Sequence, residues 1–197
     1  MVSSGRYGEV GSGRRFEEYA YVLDYLPYGK LGQTRGSFRA RPMIQVVGET
    51  YFTLLEAGVK EGATVTLQER VYVGKGPLRD KVSHIIGRVT YGDLTSTARG
   101  ELPIVVESIV RSQETRFIEF FNTTPAITPR MHSLELIPGI GKKYMWGILD
   151  QRERKLFSSF KDLQDRARIP NPAKLVTKRI MEELSEESKY RLFTRPH

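Results

Sequence analysis

The chain of 197 residues is long enough for one large domain or two small ones, and its 39% apolar and 27% charged residues permit a packed core and argue against global disorder. No run approaches the roughly 20 apolar residues of a membrane span, and the first residues lack the apolar segment of a signal peptide. The absence of cysteine excludes disulfides, thiol catalysis and Cys-ligated zinc or iron–sulfur sites.

Three histidines far apart in sequence (His84, His132, His197) do not suggest a metal site, so no metal or cofactor is expected, and a cytoplasmic protein is. The 31 basic against 23 acidic residues leave a formal charge of +8. The excess is uneven: residues 1–128 carry net +2 and residues 129–197 net +6. Concentrated cationic charge of this kind favours a polyanion, because Lys and Arg displace the counterions condensed on phosphates.

Residues 1–15, rich in Gly, Ser and Arg, read as a flexible basic tail, with Arg6, Arg14 and Arg15 solvated. From residue 16 to 92 the pattern is that of short strands. Tyr19–Leu26 is aromatic and β-branched and stops at Pro27-Tyr28-Gly29. Met43–Val47 follows a basic loop containing Arg35, Arg39 and Arg41, Tyr51–Leu55 forms another run, and Thr64–Val73 alternates apolar with polar. Ser83–Tyr91 supplies the last strand. Five or so strands between Gly/Pro turns predict a small antiparallel β-barrel, OB-like in preference to SH3-like.

After Leu94 the period changes. Leu102, Val105, Val106, Ile109 and Val110 recur as one helix face, and Phe117–Phe121 reads as helix or strand, helix preferred. Residues 93–127 are thus expected as connecting helices packed between two parts. From Thr128 the punctuation predicts an all-α unit of four short helices over residues 128–197. Thr128-Pro129 opens the first, a second starts near Lys142, Ser159 with Asp162 caps a third, and Asn171-Pro172 caps a fourth with core face Leu175, Val176, Ile180 and Leu184. The fold class is therefore α+β.

The sharpest local signal is Leu136-Ile-Pro-Gly-Ile-Gly-Lys-Lys143. It resembles a helix-hairpin-helix turn. Gly139 permits a tight reversal, Ile140 turns inward as a plug, and Gly141 lets a phosphate approach the free N–H groups of the next helix, with Lys142 and Lys143 adding charge. The bland alternative is a helix corner in which glycine is only a stop. A degenerate second copy, Pro170-Asn-Pro-Ala-Lys174, lacks the glycines, and Pro172 removes a donor; its role is mainly structural, with Lys174 and Lys178 on one helix face able to meet a phosphate.

The order of these parts is similar to that of an uncharacterised archaeal family, a domain of unknown function predicted to bind nucleic acid. The segments that carry the resemblance are Tyr21–Gly29, Arg116–Asn122, His132–Trp146, Phe157–Arg166 and Arg179–Leu184. It implies an OB-like domain followed by a tandem helix-hairpin-helix domain, and no known reaction.

The expected function is thus non-catalytic and largely sequence-independent nucleic-acid binding, RNA slightly favoured over DNA. Gly139, Ile140, Gly141, Lys142 and Lys143 form the principal contact, with Lys174, Lys178, Arg39 and Arg41 as further cations. Barrel aromatics (Tyr21, Tyr25, Tyr28, Tyr51, Tyr72) with Arg70 are candidates for base stacking. One rival is a protein-interaction adaptor in a translation or repair complex. Another is a helix-hairpin-helix DNA lyase or glycosylase using Lys143 and Asp162, disfavoured by the strand-rich first half and by the capping position of Asp162. His132 and Trp146 read as packing residues.

Overall fold

The structure, a computed structural model, describes residues 16–29, 41–76 and 79–195. The tail expected over residues 1–15, together with Arg35 and Arg39, lies outside the described residues. Among the described residues, five strands, β1 (Tyr19–Leu26), β2 (Met43–Gly48), β3 (Leu54–Val59), β4 (Arg70–Tyr72) and β5 (Val82–Arg88), form one sheet in the order β4-β1-β2-β3-β5, every pairing antiparallel. Val71 on one edge strand and Val82 on the other join a single apolar cluster with Val22, Ile44, Val46 and Ala57, so the sheet curls over its own face as a half-barrel.

The opposite face, through Leu23, Val47 and Leu54, belongs to a larger core built with the helices. Strands β2 and β3 are buried along their whole length. That burial encloses two polar side chains paired across the strands: Gln45 Nε2 donates to Glu56 Oε1 (2.9 Å) and to the Asp93 carbonyl (3.1 Å), while Gln45 Oε1 accepts from Thr95 N (2.9 Å). The network anchors the start of α1 (Ser96–Ser112) on the sheet, and Thr95 Oγ1 adds a bond to Asp24 Oδ2 (2.6 Å).

One strand is shorter than the alternation suggests and another is displaced along the chain. Thr64–Val73 contributes only Arg70–Tyr72, and the run expected over Tyr51–Leu55 enters its strand only at Leu54, β3 continuing to Val59. Helix α1 starts earlier than its apolar face implies, at the Thr95 cap, and carries Pro103 within it. The segment Phe117–Phe121 is helical, in α2 (Glu114–Thr123).

Thr128-Pro129 does not open a helix. It lies in a hairpin of β6 (Ala126–Thr128) and β7 (Met131–His132), where Thr128 Oγ1 accepts from Arg130 N. A Thr-Pro pair suits a reversal as well as a helix start, since the fixed φ of proline fits both. A 3-10 turn (Ser133–Leu136), capped by His132 and Glu135, replaces the first expected helix. Three helices follow: α3 (Lys142–Arg154), α4 (Phe160–Ala167) and α5 (Pro172–Ser185).

The helices and the sheet share one core. Phe52 and Leu54 beside β3, Leu102 to Val110 of α1, Phe117 and Phe121 of α2, Ile148 of α3, Leu163 of α4 and Ile180 of α5 form a continuous apolar cluster. Helix α1 packs on both β1 and α5 and so lies between the sheet and the last helix. No helix among the described residues is long and apolar enough to cross a membrane.

Candidate phosphate-binding hairpin

Ile137-Pro138-Gly139-Ile140 is a tight reversal closed by Ile140 N donating to the Ile137 carbonyl (2.9 Å). Proline at the second position and Gly139 at φ +93° are what a type II turn requires. A Cβ on Gly139 would stand 3.2 Å from Leu175 Cδ2, so glycine serves both the turn and its packing on α5. Ile140 is buried, as a plug should be.

Gly141 is different. It is the N-cap of α3 with φ −82°, a backbone that any residue adopts, and an added Cβ meets nothing within 4 Å. The fold does not demand glycine there. The position is open from outside.

The N-terminus of α3 is also unfilled. Thr95, Ser159 and Asn171 each accept a backbone N–H at the start of α1, α4 and α5. Helix α2 follows α1 directly and has Glu114 in its first turn. Helix α3 has no side-chain cap and no acidic residue in its first turn. Its orphan N–H groups and the positive end of its dipole therefore face outward, beside exposed Lys142 and Lys143, neither of which forms an ion pair among the described residues.

The second copy is arranged otherwise. Asn171, at φ +43°, accepts from Lys174 N (3.3 Å) and Pro172 occupies the first helical position, so the N-terminus of α5 is satisfied from within. Lys174 and Lys178 are exposed on α5, the helix that Gly139 abuts through Leu175. Arg41 is exposed just before β2, on the sheet half of the molecule.

Much of the C-terminal basic excess is engaged internally. Arg152 donates to the carbonyls of Phe121 (3.1 Å) and Thr124 (3.0 Å), closing the end of α2. Arg166 donates to the carbonyls of Gln151 (2.7 Å) and Lys155 (2.6 Å), closing the end of α3. Arg179 pairs with buried Glu183, and Arg191 donates to the Glu183 carbonyl (2.8 Å). Arg152, Arg166 and Arg191 close helix ends, and Arg179 pairs with a buried carboxylate. The lysines at 142, 143, 174 and 178 face solvent.

On the sheet, Arg70 makes a bidentate pair with Glu49 (2.7 and 2.8 Å) and lies 3.4 Å over the Tyr19 ring, so its donors are largely occupied. Tyr72 donates to the Lys75 carbonyl and packs edge-on against Tyr19, and the Arg195 guanidinium lies 3.5 Å over Tyr51. Tyr28, 81% exposed, is the most open of the five tyrosines. Asp162 accepts from Ser158 N (3.0 Å) and from Arg166 (3.1 Å), and these bonds, the backbone one foremost, hold its carboxyl below the usual range.

His132 packs as expected, buried, with Nδ1 accepting from Leu134 N (3.1 Å). Burial, then the Arg152 charge, lowers its pKa, with Glu135 opposing. The unfolded chain therefore takes up this proton first. Its contribution to stability is full above the ordinary histidine value of about 6.5 and declines as pH falls from there toward the lower folded value. Replacing His132 with Asn, which retains an acceptor, is expected to reduce the loss of unfolding free energy between about pH 7.5 and about pH 5.5 in urea titrations. An undiminished loss in the variant would place the titration elsewhere.

Trp146 is not a packing residue. It is 64% exposed on α3, one turn from Lys142.

Residues 16–195 match the family described as "Protein of unknown function (DUF655)". The uncharacterised protein MJ0038 of Methanocaldococcus jannaschii is 45% identical over 192 residues, 96% of this chain and 85% of its own length. The crystal structure of Af1531 from Archaeoglobus fulgidus is similar at a TM-score of 0.83 and 46% identity, covering 91% of this chain and all of that one.

Proposed function

From the premise that the chain belongs to the DUF655 family, whose description assigns no activity, we propose that it is a non-catalytic nucleic-acid-binding protein that grips the phosphate backbone at Gly141–Lys143. In this reading the 3-10 turn, reversal and α3 form a helix-hairpin-helix element. Helices α4 and α5 form its degenerate partner, and the curled sheet is an OB-like companion. The observation that carries the proposal is the uncapped start of α3, with open space over Gly141 and two lysines beside it that form no ion pair among the described residues.

A phosphate there receives several N–H groups pointing one way and needs little side-chain ordering. Such contacts fix position but not base identity, so binding is largely indifferent to sequence, with RNA slightly preferred over DNA. Lys174 and Lys178 extend the cationic surface, and Arg41 is a separate, weaker contact.

The test separates backbone from charge. Gly141→Val suits the backbone angle and meets open space, so it folds as the parent does while obstructing close approach to the N–H groups. Its affinity for single strands and duplexes is expected to drop about tenfold or more at unchanged net charge, measured by fluorescence anisotropy. Lys142→Ala with Lys143→Ala weakens binding uniformly across sequences and flattens the slope of log K against log[salt] by about 0.7–0.9 per lost contact. Parental affinity in folded Gly141→Val would reduce the hairpin to a helix corner.

A further inference from the structure

Beside the hairpin, α3 and the β6–β7 hairpin enclose a groove of about 420 Å³, within the range of small-ligand sites. Its apolar lining comes from Ala126, Met131, Met145 and Leu149, and Lys142 and Arg130 add positive charge. Trp146 presents its indole there. A singly exposed apolar residue is ordinary on a protein surface; an exposed indole in a groove whose cations form no ion pair among the described residues is a different arrangement. Lys142 and Trp146 are four residues apart, so they stand one above the other on the same face of α3. The acidic group of the groove, Glu135, already accepts the His132 N–H (2.9 Å) as part of the cap on the 3-10 turn.

We propose that this groove seats one unpaired nucleobase, stacked on Trp146, while the adjoining phosphate is held at Gly141–Lys143. The proposal rests on the phosphate-binding reading above and deepens it by naming the substrate class: single-stranded segments, or duplexes with an unpaired end. Charge complementarity selects the occupant. Arg130 and Lys142 have no acidic partner among the described residues, and a polyanion carrying a flat apolar ring at each phosphate supplies what both the cations and the indole lack. Stacking on an indole tolerates every base, so the subsite adds affinity and strand selectivity without sequence preference.

Trp146 is the protein's one tryptophan, so its emission reads the site without a label. The full chain is titrated with a short oligouridine and with an oligomer of equal phosphate number lacking bases. Oligouridine is expected to quench the emission at saturation and the abasic oligomer to leave it nearly unchanged, with the abasic oligomer binding roughly 5- to 150-fold more weakly. Trp146→Ala, a change at an exposed position, is expected to bind both oligomers with the same affinity, and Trp146→Phe to restore part of the difference. Lys142→Ala with Lys143→Ala lowers affinity for both alike.

Equal affinities, or unquenched emission at saturation, would overturn the base subsite and leave the phosphate grip standing. Failure of both oligomers to bind would overturn the two together. Quenching by a tyrosine-containing acidic peptide but not by oligouridine would assign the groove to a protein partner and overturn the proposal.

Discussion

Replacing Glu183 with Ala is expected to lower the free energy of unfolding by about 3–5 kcal/mol, the cost of removing one partner from a buried ion pair. Glu183 is 0% exposed on α5 and serves as a hub. Its Oε1 accepts from Arg179 Nε (2.8 Å) and Leu192 N (2.7 Å), and its Oε2 from Phe193 N (3.1 Å), Thr194 N (2.9 Å) and Thr194 Oγ1 (3.0 Å). Truncation leaves a guanidinium and three backbone N–H groups without this acceptor in a largely buried place. It also releases Phe193, which packs edge-on against Phe117 at 5.5 Å. The measurement is equilibrium urea unfolding, with amide exchange at residues 192–194 as the local readout. A loss below about 1 kcal/mol, in the range of a surface ion pair, would show that the segment is held by other contacts.

Phe117→Ala is expected to cost a similar amount, about 3–5 kcal/mol, because a fully buried ring leaves a cavity as well as losing its transfer free energy. Its consequence for organisation is more informative. Phe117 stands between Phe52 beside the sheet (6.5 Å) and Phe193 at the end of the chain (5.5 Å). The core that runs from β3 through α1 and α2 to α5 is continuous, so the loss is felt in both parts. Hydrogen exchange is the discriminating probe: amides of β2 and β3 and amides of α3 and α5 should lose protection together. Loss confined to one set would mean that sheet and helices unfold as separate units.

Local chemistry made much of the fold legible. The positions of β1, β2 and β5 and of α2, α4 and α5 follow within a few residues from apolar period, turn residues and caps, whereas the order of the strands in the sheet does not. Ser159 and Asn171 cap where their side chains say they should. The type II turn at Pro138-Gly139 and the inward Ile140 are equally local. The Thr128-Pro129 hairpin was not legible, since the same dipeptide opens helices and closes turns; pairing of Ala126 with His132 decides between them. The start of α1 was concealed because its apolar face begins only at Leu102, although Thr95 is an ordinary N-cap that could have marked it.

The candidate site divides the same way. By itself the sequence determined the hairpin, its plug, its two lysines and the positive balance of the last third, all properties of neighbouring residues. Which charges remain for a partner was decided by tertiary structure alone. Arg152, Arg166, Arg179 and Arg191 look like surface cations in a string of letters, yet each closes a helix end or a buried carboxylate through a residue distant in sequence or a turn away. Gln45 and Glu56 fall at positions that alternation assigns to solvent, and the helices laid over the sheet bury them. Trp146, read as a packing residue, lies off the buried Met145 and Ile148 side of α3, and only the place of β6 and β7 puts a groove beside its ring. Periodicity reports which residues share a face; what covers that face is a matter of long-range packing, and that is where the exposed indole and the unfilled helix start come together.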